Sequence, residues 1–544
     1  MPSPPRSTPS SSTMAGASIR WLRISLLLLL LLVFLDHHQV AAQSNSYNQN
    51  TVQCNTGFSI EAGYDSLQAI QTDMDAERDR IINGINEEPA SSYQFVLCAQ
   101  TEFVVTAPLR PSLDNAQLLC GLPPRLGNNC VLTGHDIQVE VSQDWDDYPV
   151  TETSFVGVTF SQFTQAAIAG TASDAVRVLV VNSQFSDFSS SFIISQQQAN
   201  SNGANPFRVE VRTATVANGQ AHIGFYVVGG SSGTTDNNDN DVLLLQDLDM
   251  GNLGMTGSLL SVTGSVSASF EDSELKFGDM TNIVSAQGGG NVNMTNVKVS
   301  NMKRISIVAQ ATGPGTTATL QQLKIQNNLN SNQQSWQYVE VNERAHVLVS
   351  DSQFRQNENV RYGFHANALG ALDLRDVQAT DNAGALEVVA TDLVSVIVLA
   401  IEDSTVNIYD SEFSNTNGIT SAFFSFADSN IVVKRTCLSE LSTEGALLFA
   451  QFGSTLSMSE HNAIVNAAVL DEPLLCPEGA SRLVEENRGD STCFKDGVRT
   501  KTGNGCKYEC NVGGTYNDCS LIPDKSQTAA PTTMTPTTSP MPTT

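Results

Sequence analysis

A short phrase that recurs about every 25 residues is the feature that most constrains the fold of this chain. The phrase is an acidic or amide residue, a small or apolar residue, a polar residue and an apolar anchor, as in Asp272 to Leu275 and Asp410 to Phe413. The anchors are Phe160, Phe185, Val216, Met250, Leu275, Val299, Ile325, Phe354, Ala379, Phe413, Leu438 and Ala463. Their spacing returns to about 25 after each longer step, which is typical of a solenoid with one coil per repeat and occasional insertions.

The columns of residues before the anchors indicate β-strands. Positions five and seven before the anchor are almost uniformly apolar, as Val180 and Val178 are before Phe185, whereas the residue directly before the anchor is mostly polar. This period of two is the pattern of a strand with one buried face, and the runs are too short for a helical stripe. Strands that recur once per coil in one direction pair in parallel. The sequence therefore predicts an all-β fold, a right-handed parallel β-helix of about twelve or more coils.

The flanks of the repeats predict caps for the two ends of the solenoid. Leu67, Ile70, Met74, Ile81 and Ile85 recur at helical spacing, which indicates an amphipathic N-terminal helix over the first coil. A Cys-rich segment after the repeats is the expected C-terminal cap, because an exposed end coil would otherwise pair with other chains. The predicted boundaries are a signal peptide over 1–42, an N-terminal cap over 43–94, the β-helix over 95–470, the Cys-rich cap over 471–522 and a disordered Thr/Pro-rich tail over 523–544.

The N-terminal segment predicts export from the cell. Arg20 and Arg23 precede an apolar run, and Ala41 and Ala42 supply the small residues of a cleavage site. The apolar run is short for a membrane span, so no stable span is expected after cleavage. No hydrophobic stretch follows the Thr/Pro-rich tail, so a lipid anchor is not supported. A secreted, extracellular or cell-wall location is the expectation.

Ten cysteines fit this compartment, because disulfides form in oxidising environments. They fall into two even groups on either side of the repeats, and the sequence leaves their connectivity open. The cysteines are Cys54, Cys98, Cys120, Cys130, Cys437, Cys476, Cys493, Cys506, Cys510 and Cys519. The sequon at Asn293 predicts a site for N-glycosylation on an outward position of its strand.

The charge balance excludes one class of partner. A net charge of −28 leaves no general basic surface to neutralise phosphates, so nucleic acid is not an expected partner. Polysaccharide or extracellular matrix is the expected partner class.

The coil length, the stacked apolar columns and the polar turn after each anchor resemble the pectin-lyase-like superfamily of right-handed parallel β-helices. The opening coils, from Phe95 through Cys120 to Cys130 and Gly134, are similar to those of secreted β-helix proteins of microalgae. The superfamily includes pectate lyases, polygalacturonases and epimerases that act on acidic polysaccharides, and also adhesins. The resemblance therefore implies a fold and leaves the function open.

The catalytic patterns of these enzymes are mostly missing. No paired carboxylates stand on neighbouring coils in the arrangement that glycoside hydrolysis requires. A lyase of the pectate type would need clustered carboxylates for Ca²⁺ and an arginine as base. The candidate bases are Arg355 and Arg375, and the candidate calcium ligands, three positions before the anchors, are Asp247, Asp272, Asp351, Asp376 and Asp410. The alternative is that each aspartate caps its own corner through backbone N–H groups.

Three functional hypotheses follow from the sequence. The leading one is a non-enzymatic β-helix that binds glycan or matrix, and it rests on the missing chemistry. The second is a divergent Ca²⁺-dependent lyase of acidic polysaccharides, and the third is a structural or adhesive surface protein. No cofactor other than Ca²⁺ is expected.

Overall fold

The structure is a computed structural model. It describes residues 50–55, 60–84, 92–121, 129–134, 136–141, 148, 150–171, 176–196, 206–229, 241–329, 335–385, 395–443, 447–451, 453–459, 462–465, 468–469, 482–486, 492–495, 498–501 and 514–516. The chain divides into the units Met1–Gln49 and Asn50–Thr544, and all described residues belong to the second.

The second unit is built of three ladders of parallel strands, named here sheets A, B and C. Sheet A contains Tyr93–Leu97, Ala116–Cys120, Glu152–Val156, Arg177–Val181, the start of Arg208–Ala221, the start of Leu243–Thr263, Ser267–Glu271, Asn291–Thr295, Thr317–Gln321, His346–Ser350, Ala371–Arg375, Thr405–Tyr409, Asn430–Lys434, Thr455–Ser459 and Arg482–Glu486. Sheet B contains Glu102–Val104, Cys130–Thr133, Val158–Ser161, Gln184–Ser186, the middle of the same two long strands, Glu274–Lys276, Lys298–Ser300, Lys324–Gln326, Gln353–Arg355, Gln378–Thr380, Glu412–Ser414, Cys437–Ser439 and Ala463–Val465. Sheet C contains Ile137–Val141, Ala166–Gly170, Ser191–Gln196, Phe225–Val228, the end of Leu243–Thr263, Asp279–Gln287, Arg304–Thr312, Trp336–Asn342, Val360–Ala366, Val396–Ile401, Ser421–Phe426 and Leu448–Gln451.

This arrangement confirms the predicted parallel β-helix. The anchors from Phe160 to Leu438 pair with one another from coil to coil, as Phe354 pairs with Ala379 and Ala379 with Phe413. The columns five and seven positions before the anchors are buried along sheet A, as Val349 and Val347 are before Phe354. One coil cannot bury these side chains by itself, so the core exists because the coils stack.

The corner between sheets A and B explains the recurring Asp-Ser phrase. The aspartates and asparagines of the phrase have left-handed backbone conformations, for example φ of 50° at Asp351 and 55° at Asp410, which these residue types tolerate. The serine that follows is buried. Ser352 donates to the Ser350 carbonyl at 2.7 Å and accepts from the Leu323 N–H of the previous coil at 3.0 Å. The phrase thus satisfies the backbone where the chain turns and ties one coil to the next.

The corner between sheets B and C carries a buried asparagine ladder. Asn328 Nδ2 donates to Asn357 Oδ1 at 3.0 Å, and Asn357 Nδ2 donates to Asn382 Oδ1 at 3.1 Å. These residues stand three positions after the anchors. Two positions after the anchor, where amides also recur, the described residues instead have positive φ, as at Asn327 and Gln356. The difference arises because the outward residue makes the left-handed turn and the next residue points inward.

The last anchor differs from the prediction by one residue. Leu438 pairs with Ile464, and Ala463 pairs with Cys437. In sheet A the step of 25 is kept, because Val433 pairs with Met458. The corner of the last coil therefore contains one additional residue. The prediction missed this residue because it assumed the same number of residues between strand and anchor in every coil.

The predicted N-terminal helix spans Leu67–Ile82. Leu67, Ile70 and Met74 are buried, whereas Ile82 at its end is 46% exposed. The helix contacts the early coils through its polar side: Ser112 Oγ donates to Asp75 at 2.6 Å. A two-stranded antiparallel ladder of Val52–Asn55 and Ile60–Gly63 precedes it.

Disulfides are present in the first cysteine group. Cys54 is bonded to Cys98, and Cys120 to Cys130. Cys437 is also disulfide-bonded. Disulfides are typical of proteins in oxidising compartments outside the cytosol. Within the described ranges, no helix has the length and apolar character needed to cross a bilayer.

Beyond the last coil, the structure describes a few short strands. Ser442–Thr443 pairs with Ala468–Val469, Thr492–Lys495 with Val498–Lys501, and Gly514–Tyr516 with Arg482–Glu486. The predicted signal peptide, Cys476, Cys506, Cys510, Cys519 and the Thr/Pro-rich tail lie outside the described residues.

Candidate functional site

The outer face of sheet A brings together side chains that can perform acid–base chemistry. We name His346, Asp373, Arg375, Asn407 and Tyr409 the Asp373 cluster. In their strands, buried and more exposed residues alternate, and these five are on the exposed side. The register places Asp373 beside Asn407, and Arg375 beside Tyr409, on adjacent coils.

Asp373 is the centre of this cluster. His346 Nε2 lies 3.4 Å and Arg375 Nη2 lies 3.5 Å from the same oxygen, Asp373 Oδ2. Asn407 Nδ2 donates to Asp373 Oδ1 at 2.8 Å. The Asp373 side chain is 18% exposed, whereas those of His346 and Arg375 are 48% and 55% exposed. The carboxylate is therefore held in the sheet surface, and its two nitrogen partners are open to solvent.

The cluster contains the groups that proton abstraction beside a carboxylate requires. If the His346 Nε2–H donates to Asp373, the other ring nitrogen, Nδ1, is free of a proton and can act as a base. Arg375 supplies a cation that can pair with an anionic substrate. The Arg375 guanidinium carbon lies 5.9 Å from the centre of the Tyr409 ring, which places a phenol on the same side of Asp373.

The two arginines proposed from the sequence lie in different sheets. Arg375 belongs to the Asp373 cluster. Arg355 is on sheet B, where its Nη2 donates to Gln378 Oε1 at 2.6 Å and its Nε is buried without a hydrogen-bond partner among the described residues. The structure does not bring the two guanidinium groups to one face.

The aspartate column lies in the corner between sheets A and B, and all of its members have positive φ. They are Asp247, Asp272, Asp351, Asp376 and Asp410. Neighbouring coils supply donors to several of them: Asn296 Nδ2 lies 2.8 Å from Asp272 Oδ1, and Thr213 Oγ1 lies 3.2 Å from Asp247 Oδ2. Arg435 binds Asp410 with two nitrogens, at 2.7 and 3.0 Å.

These contacts bear on the calcium hypothesis. Arg435 already pairs with the carboxylate of Asp410. The end of the aspartate column at Asp410 therefore does not fit a set of cation ligands. Across the described ranges, no three His, Cys, Asp or Glu residues are grouped so as to hold a metal ion. Calcium binding stays a prediction, and no step of a mechanism is derived through it.

The predicted N-glycosylation site lies on the surface of sheet A. Asn293 is half-buried on strand Asn291–Thr295 of sheet A, at one of its outward positions.

Sequence reasoning missed His346, Asp373 and Tyr409. They stand eight, six and four positions before their anchors, on the outward side of sheet A. A search of these outward columns for titratable residues on consecutive coils would have found the three together with Arg375. The corner column and the anchor positions carry the clearest periodic signal, and these three residues stand outside both.

A buried histidine on sheet C predicts a pH-dependent stability. His365 is 7% exposed, and neither ring nitrogen has a hydrogen-bond partner among the described residues. Burial, and then the nearby Arg361 cation, lower its pKa from 6.5 to about 4. In the unfolded chain, His365 takes up a proton at its ordinary pKa. The contribution of the buried neutral ring to the free energy of unfolding is therefore complete above pH ~6.5 and is lost as the pH falls toward about 4. We expect it to reach ~3 kcal/mol.

His365→Leu should remove this dependence, because Leu399 occupies the same position one coil later. The free energy of unfolding from urea titrations at neutral and acidic pH measures it. Between neutral and acidic pH, the unfolding free energy of the wild type should fall by ~3 kcal/mol more than that of His365→Leu. His222→Leu, at an exposed histidine whose ring contacts the neutral side chain of Thr256, is the control and should follow the wild type. Parallel pH curves for His365→Leu and the wild type would contradict the assignment.

Comparisons with known proteins give structural likeness but no family. No family model matches the sequence, and no curated protein matches it. The alginate lyase AlyF-OU02 with G6 aligns at 10% identity and a TM-score of 0.39, over 79% of this chain and 89% of that chain. A PL6 alginate lyase complex with trisaccharide aligns at 9% identity and a TM-score of 0.34, over 79% and 89%. The periplasmic alginate epimerase AlgG aligns at 8% identity and a TM-score of 0.19, over 79% and 84%.

The leading hypothesis from the sequence, a non-enzymatic glycan- or matrix-binding protein, is wrong. It rested on missing chemistry, whereas His346, Asp373 and Arg375 lie together on sheet A. The stacked parallel ladders are consistent with the pectin-lyase-like fold that the sequence resembles.

Proposed function

We propose that this chain is a secreted enzyme that cleaves acidic polysaccharides by β-elimination on the outer face of sheet A. The observation that carries the proposal is the convergence of His346 and Arg375 on one oxygen of Asp373. A base held by a carboxylate, beside a cation that can bind a uronate, is the combination that β-elimination requires. The disulfides support action outside the cytosol, in the extracellular space or the cell wall.

Each residue of the cluster has a defined role in this reaction. The Arg375 guanidinium pairs with the uronate carboxylate and stabilises the negative charge that develops when the neighbouring C5–H bond breaks. His346 Nδ1 takes the C5 proton. The electrons of the C5–H bond form a double bond between C4 and C5, and the C4–O bond to the next sugar breaks. The leaving oxygen takes a proton from the Tyr409 hydroxyl.

Asp373 is a positioning residue in this scheme. Its carboxylate, 3.4 Å from His346 Nε2, favours the tautomer with the proton on Nε2, and its charge stabilises the imidazolium that forms. Asn407 in turn orients Asp373 through the 2.8 Å hydrogen bond that its Nδ2 donates to Asp373 Oδ1. The acid–base groups thus come from three consecutive coils, which the parallel register keeps in line.

The proposal is tested by incubating the purified protein with alginate, polygalacturonate and a neutral glucan, with and without a calcium chelator. We expect ultraviolet absorbance of unsaturated uronate products from at least one acidic polymer and none from the neutral one. Persistence of the activity in the chelator would exclude the calcium-dependent form of the lyase hypothesis. Absence of products from both polyuronates, with and without added Ca²⁺, would contradict the proposal.

A further inference from the structure

A groove lies on another part of the solenoid, where sheet B turns into sheet C. It has a volume of about 510 Å³, and we name it the corner groove. Its lining includes Phe188, Asn218, Gln220, Asn252, Phe277 and Lys303. These residues come from five successive coils, so at ~4.8 Å per strand the groove follows the stack for ~19 Å. That length suits an extended polymer better than a compact small molecule.

Phe277 is unusual at its position. It has φ of 54° and is 48% exposed. The described residues at the same position of the other coils are amides or acids, and they share this left-handed conformation: Gln162, Asp187, Asn218, Asn252, Asn301, Asn327, Gln356, Asp381, Asn415 and Glu440. A bulky aromatic residue is sterically disfavoured there, and its ring loses the benefit of burial. Residues held in such disfavoured conformations cluster at binding sites and active sites.

The lysines of the solenoid are concentrated on the last two coils of the groove and on the coil that follows them. No lysine precedes Lys276 in the sequence, and the next after Lys324 is Lys434. Lys276 and Lys298 share the carboxylate of Glu274, at 2.6 and 2.8 Å. Lys324 is exposed and forms no ion pair within the described part of the chain. In a protein with a net charge of −28, this cluster of lysines is where an anionic polymer can approach.

The groove itself presents groups suited to a sugar chain. Asp279, the carboxylate among its described lining residues, is neutralised by Arg304 at 2.6 Å. The exposed amides of Asn218, Gln220 and Asn252 can donate to and accept from hydroxyl groups. An exposed aromatic ring with a few convergent polar groups is the usual composition of a small-ligand site.

We propose that the corner groove is a non-catalytic binding site for an acidic polysaccharide. The Phe277 ring lies against the apolar face of a sugar, the amides bind its hydroxyls, and the lysines of these coils pair with its carboxylates. The choice of a uronate polymer rests on the proposed function. The groove belongs to other coils and another face than the Asp373 cluster, so it holds the polymer without taking part in its cleavage.

The test uses paired variants that change stability and binding in opposite directions. Phe277→Asn replaces the aromatic ring by the residue type of neighbouring coils, so its Tm should rise while its affinity for polyuronate falls about tenfold. Leu369→Asn is the matched control, because Leu369 is also exposed, at 46%, and also has a positive φ of 67°. Its Tm should rise and its affinity should stay unchanged.

Binding is measured by calorimetric titration with polyuronate in the His346→Asn background, so that the polymer stays intact. Lys324→Gln should lower the affinity and flatten its salt dependence.

Unchanged affinity in both Phe277→Asn and Lys324→Gln would overturn the proposal. Equal binding of a single-stranded polynucleotide would also overturn it, because the groove would then select charge and not sugar. Binding through the groove without cleavage by the wild type would refute the proposed function alone, and cleavage without groove-dependent binding would refute this proposal alone.

Discussion

His346→Asn should lower kcat/KM for polyuronate cleavage by about 10²- to 10⁴-fold, the range that a positioned general base contributes. Asparagine retains a donor toward Asp373 but has no nitrogen that takes up a proton at neutral pH. The loss should fall mainly on kcat, because Arg375 still binds the substrate carboxylate. Since the His346 side chain is 48% exposed, the Tm should stay close to that of the wild type.

The control for this variant is His222→Asn. His222 is an exposed histidine whose ring Nδ1 lies 3.0 Å from Thr256 Oγ1, on coils that do not contribute to the Asp373 cluster. It should retain full activity. Rates of product formation over a series of polymer concentrations measure both variants. Activity of His346→Asn within a few-fold of the wild type would remove the histidine from the reaction.

Asn357→Ala should lower the free energy of unfolding by about 3–5 kcal/mol, because each buried polar group left without a partner costs ~1–3 kcal/mol. Asn357 is fully buried in the asparagine ladder. Its Nδ2 donates to the Ile325 carbonyl at 3.0 Å, and its Oδ1 accepts from Asn328. Truncation removes these bonds together and leaves their partners buried.

Urea unfolding of Asn357→Ala and of a surface asparagine variant measures this effect. Asn293→Ala is suitable as the control, since Asn293 lies at an outward position of sheet A. Its unfolding free energy should stay within about 0.5 kcal/mol of the wild type. A loss of less than 1 kcal/mol in Asn357→Ala would show that the ladder contributes little to the stacking of coils.

The fold can be predicted from the sequence because every coil must bury the same apolar positions and turn at the same corners. The apolar columns before Phe354 or Phe413 must face inward, and the Asp-Ser phrase must satisfy the backbone at a corner. Both are visible as periodic residue types. The asparagine ladder is harder to recognise, because amides occupy both its position and the one before it, and periodicity alone does not distinguish a left-handed outward residue from an inward one. The register of Ile464 was missed because a single added residue changes one sheet without changing the other.

The candidate site was less accessible to sequence reasoning. His346 and Asp373 are 27 positions apart along the chain and stand at different offsets from their anchors. Their side chains meet diagonally across two coils, a contact that comparison of equal positions does not reveal. Arg375 was identified as a candidate base, but not together with His346 and Asp373. Phe277 was visible as an exception among amides, but the sequence did not show that it is exposed beside a groove.

The measurement that tests the central claim most directly is the mass of the products that the wild-type protein releases from polyuronate. The proposed reaction predicts oligosaccharides that are lighter by one water than hydrolysis products, with the double bond at one end, and their loss in His346→Asn. Products that contain the added water, or a polymer of unchanged length in the presence of an intact Asp373 cluster, would contradict it.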